Sequence, residues 1–418
     1  MKEINHSLFL PHLNQLIAIF TVVFLICLAN ADSPEGFASV SALGLDGTTG
    51  GAGGNIVTVT NAAEFISYIG QIDPLIIQVA DTIELTTMVG INSDKSIIGL
   101  GSHGVINGGG FNISSKSNII IRNLLFQNSV DDAINVQESS HHVWIDHCDL
   151  TNAYDGLIDI KRGSEFITVS WNKFYDHQKT CLLGHSDNNA AQDSTHLLVT
   201  YHHNWFNGTN SRHPRVRFSG LTHVYNNYYY DNSYGIASTM DAEVLVEGNY
   251  FYLADDPTLV GYGSSGPGDL VEENNIFDNC SNNPQIRGTV PSPPYAYVLD
   301  NAADIPAIVQ NNAGRAGYIT AIVQNEFDSP LESYKLFQNY PNPFNPTTTI
   351  EFYIPQTEMV TITIYNTLGH LITTVLDQRL ESGTHGIIFQ AKNLVSGFYF
   401  YKLGTENFAE AKKMLLLR

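Results

Sequence analysis

Cysteine is scarce in this chain. Four occur among 418 residues, at Cys27, Cys148, Cys181 and Cys280. Cys27 falls inside an apolar N-terminal run, so three remain, at least one is unpaired, and a disulfide-stapled scaffold is excluded. No CxxC pair and no Cys/His spacing suits structural zinc. Cations are equally short: 20 Lys and Arg stand against 41 Asp and Glu, a formal net charge of −21. Without a basic excess to displace counterions from phosphates, nucleic-acid binding is excluded. Charged residues total only 15%, which does not suit a helical bundle. A GxSxG elbow for Ser-His-Asp chemistry is missing. Past residue 28 no apolar run is long enough to cross a membrane, so the mature chain is expected to be soluble.

The one long apolar run, residues 16–28, is broken only by Thr21. Lys2 precedes it and Ala29-Asn30-Ala31 follows, a small-x-small pattern that predicts a secretory signal at 1–31 and a mature start at Asp32. Tyr and Phe are abundant at 21 each, and hydrophobic residues reach 43%, enough for a core and too many for global disorder. The few cations cluster: Lys161, Arg162, Lys179, Arg212, Arg215 and Arg217 gather near mid-chain. A cationic site on an anionic protein points to an anionic ligand.

Short β-rich segments recur, among them IIIRNLLF, VWIDHCDL, ITVSWNKF, VLVEGNYF and LVEENNIF. Aligning them on a polar position gives Asn123, Cys148, Asn172, Asn204, Asn227, Asn249 and Asn275, with steps of 25, 24, 32, 23, 22 and 26. That spacing fits one coil of a solenoid and is too short for propeller blades of about 40–50 residues. A parallel β-helix is predicted, with inward side chains stacked in columns and Asn recurring at a bend. There its amide bonds the backbone or its neighbour, and its tolerance of the left-handed conformation is useful. The step of 32 implies an insertion at about 184–195, on the face that binds ligand.

Composition changes near residue 316. Residues 316–333 read as a linker. The Pro-rich Asn339-Tyr340-Pro341-Asn342-Pro343-Phe344-Asn345-Pro346 then opens a second unit. Alternating segments at 349–354, 360–365, 386–390 and 397–403 predict a small β-sandwich over 334–418. The fold class is thus all-β, with a β-helical domain at 32–315 followed by this sandwich.

Two constellations carry chemistry. Asp155 and Asp159 lie four apart, on one side of a regular strand, and Asp132 is one coil earlier. Carboxylates without His or Cys suit calcium, and they equally suit ordinary solvated turns. Ser211-Arg212-His213-Pro214-Arg215-Val216-Arg217 holds three arginines, whose forks match carboxylates. A basic surface patch is the plainer reading. Pro214 can break the alternation and let Arg212 and Arg217 converge. His147, His177, His202 and His203 are read as structural.

The blocks Val143-Trp144-Ile145-Asp146-His147, Asp155-Gly156-Leu157-Ile158-Asp159-Ile160-Lys161, His177-Gln178-Lys179, Val199-Thr200-Tyr201-His202-His203-Asn204, Arg212-His213-Pro214-Arg215-Val216-Arg217 and His223-Val224-Tyr225-Asn226-Asn227 resemble, in this order, the pectate lyase family (polysaccharide lyase family 1). The resemblance spans roughly residues 36–282. It implies a right-handed parallel β-helix and calcium-dependent (Ca2+) β-elimination of polygalacturonate. It further implies Asp132, Asp155 and Asp159 as metal ligands and Arg212 as catalytic base. Lys179, Arg217 and Lys161 become substrate-binding cations. Some members carry a further acid two places before Asp132. Here that place is Val130, and Asp131 is the nearest acid. The segment from Leu336 through Pro346 to Ile350, with the Lys-rich end, is similar to type IX secretion sorting domains. That implies the secretion machinery as a partner and a secreted or cell-surface bacterial protein, expected to act as a monomer. Pectin lyase action on methyl-esterified polymer and a non-catalytic β-helical binding protein are the competing readings. The three acids speak against the first, and the intact Arg212 and Lys179 against the second.

Overall fold

The structure is a computed structural model that describes residues 33–315 and most of 334–417. The expected signal at 1–31 and the expected linker at 316–333 lie outside the described residues. The chain divides into two compact units near residue 318.

The first unit is a parallel β-helix. Sheets of ten, nine and eight strands run along it, and neighbours within a sheet come from successive coils. Columns form because parallel strands in fixed register place like positions about 4.8 Å apart. One inward column of the first sheet reads Ile121, Ile145, Val169, Tyr201, Val224 and Val246, all fully buried. An inward column of the second sheet reads Phe174, Phe206, Tyr229, Phe251 and Phe277. Their rings stack with centroids 5.0, 5.0, 4.2 and 5.1 Å apart, close to the strand spacing itself. Aromatic content that looked merely high in the sequence is thus the core of the solenoid.

The polar position between the first and second sheets is an asparagine ladder. The Asn172 amide nitrogen and backbone N–H both donate to Asn204 Oδ1, at 3.1 and 3.0 Å. Asn204 donates likewise to Asn227, Asn227 to Asn249, and Asn249 to Asn275. Side chains satisfying one another along the axis is the predicted arrangement. Two details differ. The left-handed residue is the one before each ladder position: His147, Trp171, His203, Asn226 and Asn274 have φ of 49–56°. Asn123, with φ 55°, belongs to that column. The register Leu125↔Asp149 shows that Leu124, not Asn123, aligns with Cys148.

Coverings decide where a ligand can reach the solenoid. Helix Ala62–Ile69, capped by the Asn61 side chain, buries Phe65 against Phe111, with ring centroids 5.5 Å apart. On the outer face of the first sheet, Phe37 and Ala38 donate backbone N–H groups to Thr200 and Thr168. Gly36, at φ 70°, is required there because a Cβ would meet the Thr200 side chain at 2.6 Å. Tyr295 lies on the same face, its hydroxyl against Thr200 and His223. Helix Ile305–Asn312 packs Ile305 and Val309 with Tyr228 of the second sheet. The third sheet instead turns polar columns outward. One reads Asn112, Asn135, Asp159 and Arg215, interrupted between the last two by Leu182. The insertion at 184–195, with a short helix Ala190–Asp193, joins this side through the Asp193 carboxylate on the Gly163 N–H.

The second unit is a β-sandwich of one three-stranded and one four-stranded antiparallel sheet. Alternation puts Ile350, Phe352, Ile354, Ile362, Ile364, Tyr401 and Leu403 inside. Three strands beyond the expected four complete it, Lys335–Leu336, Leu371–Leu380 and Ala409–Leu416. The Lys-rich end that the sequence marked is therefore the last strand of a sheet.

Candidate active site

The cations and acids singled out in the sequence meet along the third sheet. Strand Ile158–Ile160 is only three residues long, so Asp155 lies in the turn before it rather than on a regular strand. Asp159 faces outward from the strand and is still 4% exposed. Asp132 precedes strand Ile134–Gln137 of the previous coil, and its Oδ1 accepts the Gly156 N–H at 2.9 Å. His177 Nε2 donates to the Asp155 carbonyl at 2.7 Å, fixing the turn that presents this acid. Burial makes His177 harder to protonate than usual, in keeping with that neutral donor.

Electrostatics split the acids into two kinds. Asp155 is half-exposed, and its Oδ1 takes the Lys179 ammonium at 2.7 Å. Partial burial opposes its ionisation, but the Lys179 hydrogen bond and the charges of Lys179, Arg212 and Lys161 prevail and hold it below the usual carboxylate range. Asp159 is pushed up to about 7, first by burial and then by the adjacent Asp132 carboxylate. Burial also raises Asp132. Lys161 Nζ sits 3.6 Å from Asp132 and 3.9 Å from Asp159 and only partly offsets this crowding.

Three observations bear on whether a calcium ion fits. Carboxylate oxygens of Asp131, Asp132 and Asp155 all lie within 4.8 Å of one another. Asp159 Oδ1 is buried with no hydrogen-bond partner among the described residues. A Cβ at Gly156 would run into Asp159 Oδ1 and Asp132 Oδ1, so glycine keeps open the space these oxygens face. Oxygen-only ligands around negative charge that the nearby cations only partly relieve suit a hard divalent cation. The residues fit. Asp131, noted in the sequence only as the acid nearest Val130, joins the cluster, and Asp159 sits at its buried edge.

Arg212 enters from the next coil but one. It is half-buried, has φ 68°, and its carbonyl accepts the Cys181 N–H at 2.7 Å. Lys179 and Ser211 are bridged in parallel, which brings Lys179 and Arg212 to the same end of the strands as Asp155. Among the described residues nothing hydrogen-bonds or ion-pairs the Arg212 guanidinium. Strand Arg215–Arg217 starts only after Pro214. The register Leu183↔Val216 sets Arg217 beside Gly184. Arg217 Nε donates to Asp187 at 2.6 Å and Nη1 to the Gly184 carbonyl at 2.8 Å. Arg212 and Arg217 thus share this face of the solenoid without touching the same groups. The remaining candidates hold other parts in place. His203 bonds Asp300, and His147 bonds the buried Asp146.

Residues 13–317 match the family model described as pectate lyase. This chain belongs to the pectate lyase family. Residues 338–417 match the secretion system C-terminal sorting domain. The chain is 39% identical over 305 residues to a pectate trisaccharide-lyase of Bacillus licheniformis, covering 68% of this chain and 86% of that protein. It is 42% identical over 298 residues to pectate lyase A of Aspergillus niger, covering 68% and 88%. A pectate lyase from Bacillus sp. N165, solved in complex with trigalacturonate, superposes with a TM-score of 0.62 at 34% identity, covering 67% of this chain and 98% of that one. The β-helical fold expected from the repeat is shared with that solved pectate lyase, and the sorting tail marks a secreted or cell-surface protein.

Proposed function

We propose that this chain is a pectate lyase that cleaves α-1,4-linked polygalacturonate by calcium-dependent β-elimination, leaving 4,5-unsaturated ends. One observation carries the reading: the Arg212 guanidinium, which has no partner among the described residues, stands beside Lys179 and a crowded carboxylate cluster on the open face of the solenoid.

The proton at C5 of a galacturonate is α to a carboxylate and only weakly acidic. Asp131, Asp132, Asp155 and Asp159 would hold calcium, which when bound supplies positive charge to the substrate carboxylate as negative charge develops there. Arg212, acting as the neutral guanidine, takes the C5 proton and becomes the guanidinium. With no partner among the described residues, its nitrogens are available to substrate. Lys179, freed from Asp155 or shared with it, and Arg217 bind galacturonate carboxylates and orient the sugar. Lys161 adds cationic charge on the same face. The 4-O leaving group departs from C4 as the C4–C5 double bond forms and picks up a proton from solvent, so no water is consumed overall. Residues 32–315 carry this chemistry, and 334–418 address the chain to the type IX secretion machinery.

The test is the ultraviolet absorbance of unsaturated products, measured on polygalacturonate and on methyl-esterified pectin, with and without chelator. The reading expects absorbance on polygalacturonate that chelation abolishes and added calcium restores. Preference for esterified pectin with chelator-resistant activity would instead favour a pectin lyase, and no absorbance on either polymer a binding protein.

A further inference from the structure

Arg217 reaches the site already held on two of its three nitrogens, and the group holding it comes from the insertion. Asp187 lies within residues 184–195, the segment that lengthens one coil. Its Oδ1 accepts from Arg217 Nε at 2.6 Å. Both its oxygens are 2.8 Å from the Ser265 hydroxyl, which donates to them. Ser265 is 5% exposed and accepts in turn from Arg215 Nη2 at 2.7 Å. Arg215 lies over the Tyr262 ring, 4.8 Å from its centroid. A chain of contacts, Arg215 to Ser265 to Asp187 to Arg217, thus ties segments 78 residues apart in sequence.

The other side of Arg217 is fixed as firmly. Gly184 sits at φ 81°, and a Cβ there would meet Arg217 Cβ at 2.8 Å. The bare glycine allows the close approach through which its carbonyl accepts Nη1 at 2.8 Å. Nη2 is left as the guanidinium nitrogen with no bond to a described residue. A carboxylate beside an arginine that must bind a substrate carboxylate could act as its competitor. The geometry favours support: Asp187 uses the Nε side only and is itself held from behind by a buried hydroxyl.

We propose that Asp187 is a positioning residue, which with Ser265 and Gly184 locks the Arg217 guanidinium so that Nη2 is presented to a galacturonate carboxylate. This rests on the reading above that Arg217 binds such a carboxylate. Arginine is flexible when free, and pre-ordering it removes an entropic cost from substrate binding. The consequence falls on affinity and leaves the proton-transfer step alone.

The experiment measures kcat and KM on polygalacturonate for Asp187→Ala, Asp187→Asn, Arg217→Ala and the double variant Asp187→Ala/Arg217→Ala, with thermal melting to check folding. Asp187→Ala is expected to raise KM about tenfold with kcat within about twofold of the parent. Asp187→Asn keeps an acceptor for Nε and is expected to recover most of that loss. The double variant is expected to match Arg217→Ala alone, because a residue acting only through Arg217 has nothing left to position. A lowered KM in Asp187→Ala would mean competition, and multiplied losses in the double variant would mean a separate role. Either result overturns the proposal. If Arg217→Ala raises KM and Asp187→Ala does not, the Asp187 assignment alone fails. If Arg217→Ala leaves KM unchanged, the carboxylate clamp itself fails and this proposal with it.

Discussion

Arg212 carries the heaviest chemical demand in the chain. It must meet one proton at one carbon, and the backbone holds it at φ 68° with its carbonyl bonded to the neighbouring coil. Arg212→Lys keeps the charge and loses the planar fork. We expect kcat to fall by at least about a hundredfold, as for removal of a general base, with KM changed only a few-fold. Steady-state kinetics on polygalacturonate would show it, and a kcat within a few-fold of the parent would assign the base elsewhere. Gly156 makes a second demand, since its missing side chain leaves the carboxylate oxygens of Asp132 and Asp159 their common space. Gly156→Ala is expected to weaken calcium binding by about ten- to a hundredfold, the range seen when groups supporting a metal site are altered. Calorimetric titration of the folded variant checks this. At this scale the sequence was informative where a residue's role depends on near neighbours. Asp155 and Asp159 share a block with Gly156, and Arg212 stands two before Pro214. Asp187 and Ser265 were invisible because their partners arrive from coils 30 and 78 residues away.

The repeating coil is the element that makes such meetings possible, and the asparagine ladder holds it together. Asn204 Oδ1 accepts two bonds from Asn172, and its Nδ2 donates to the Val169 carbonyl at 2.8 Å and to Asn227 at 2.9 Å. All three ladder residues are fully buried. Asn204→Ala would leave several of these groups unpaired in a dry interior, at about 1–3 kcal/mol each and less than additively. We expect a loss of at least about 3 kcal/mol by denaturant unfolding, with Arg212 and the acid cluster untouched. A loss below about 1 kcal/mol would mean that the ladder is ornamental. The repeat was legible because ladder positions demand one residue type. Its phase slipped at Asn123, where the left-handed bend also accepts Asn and the sequence alone does not separate the two positions. The strand Leu371–Leu380 went unread for a related reason: it is largely exposed, so no apolar alternation marks it.

At the scale of the whole molecule, two cores divide the labour. One runs through the coils of the β-helix, and the other closes within the C-terminal sandwich. A chain ending at Asp328 is therefore expected to fold and keep its specific activity, read by circular dichroism and product absorbance. Failure to fold would mean that the two units depend on each other. The central claim is elimination at the third-sheet site, and the nature of the bond cleavage tests it most directly. Polygalacturonate should be digested in water enriched in heavy oxygen and the oligosaccharide products weighed by mass spectrometry. Elimination consumes no water, so the account predicts products with an unsaturated end and no heavy oxygen at the cleaved bond; label incorporated there, at one atom per cut, would mean hydrolysis and would contradict it.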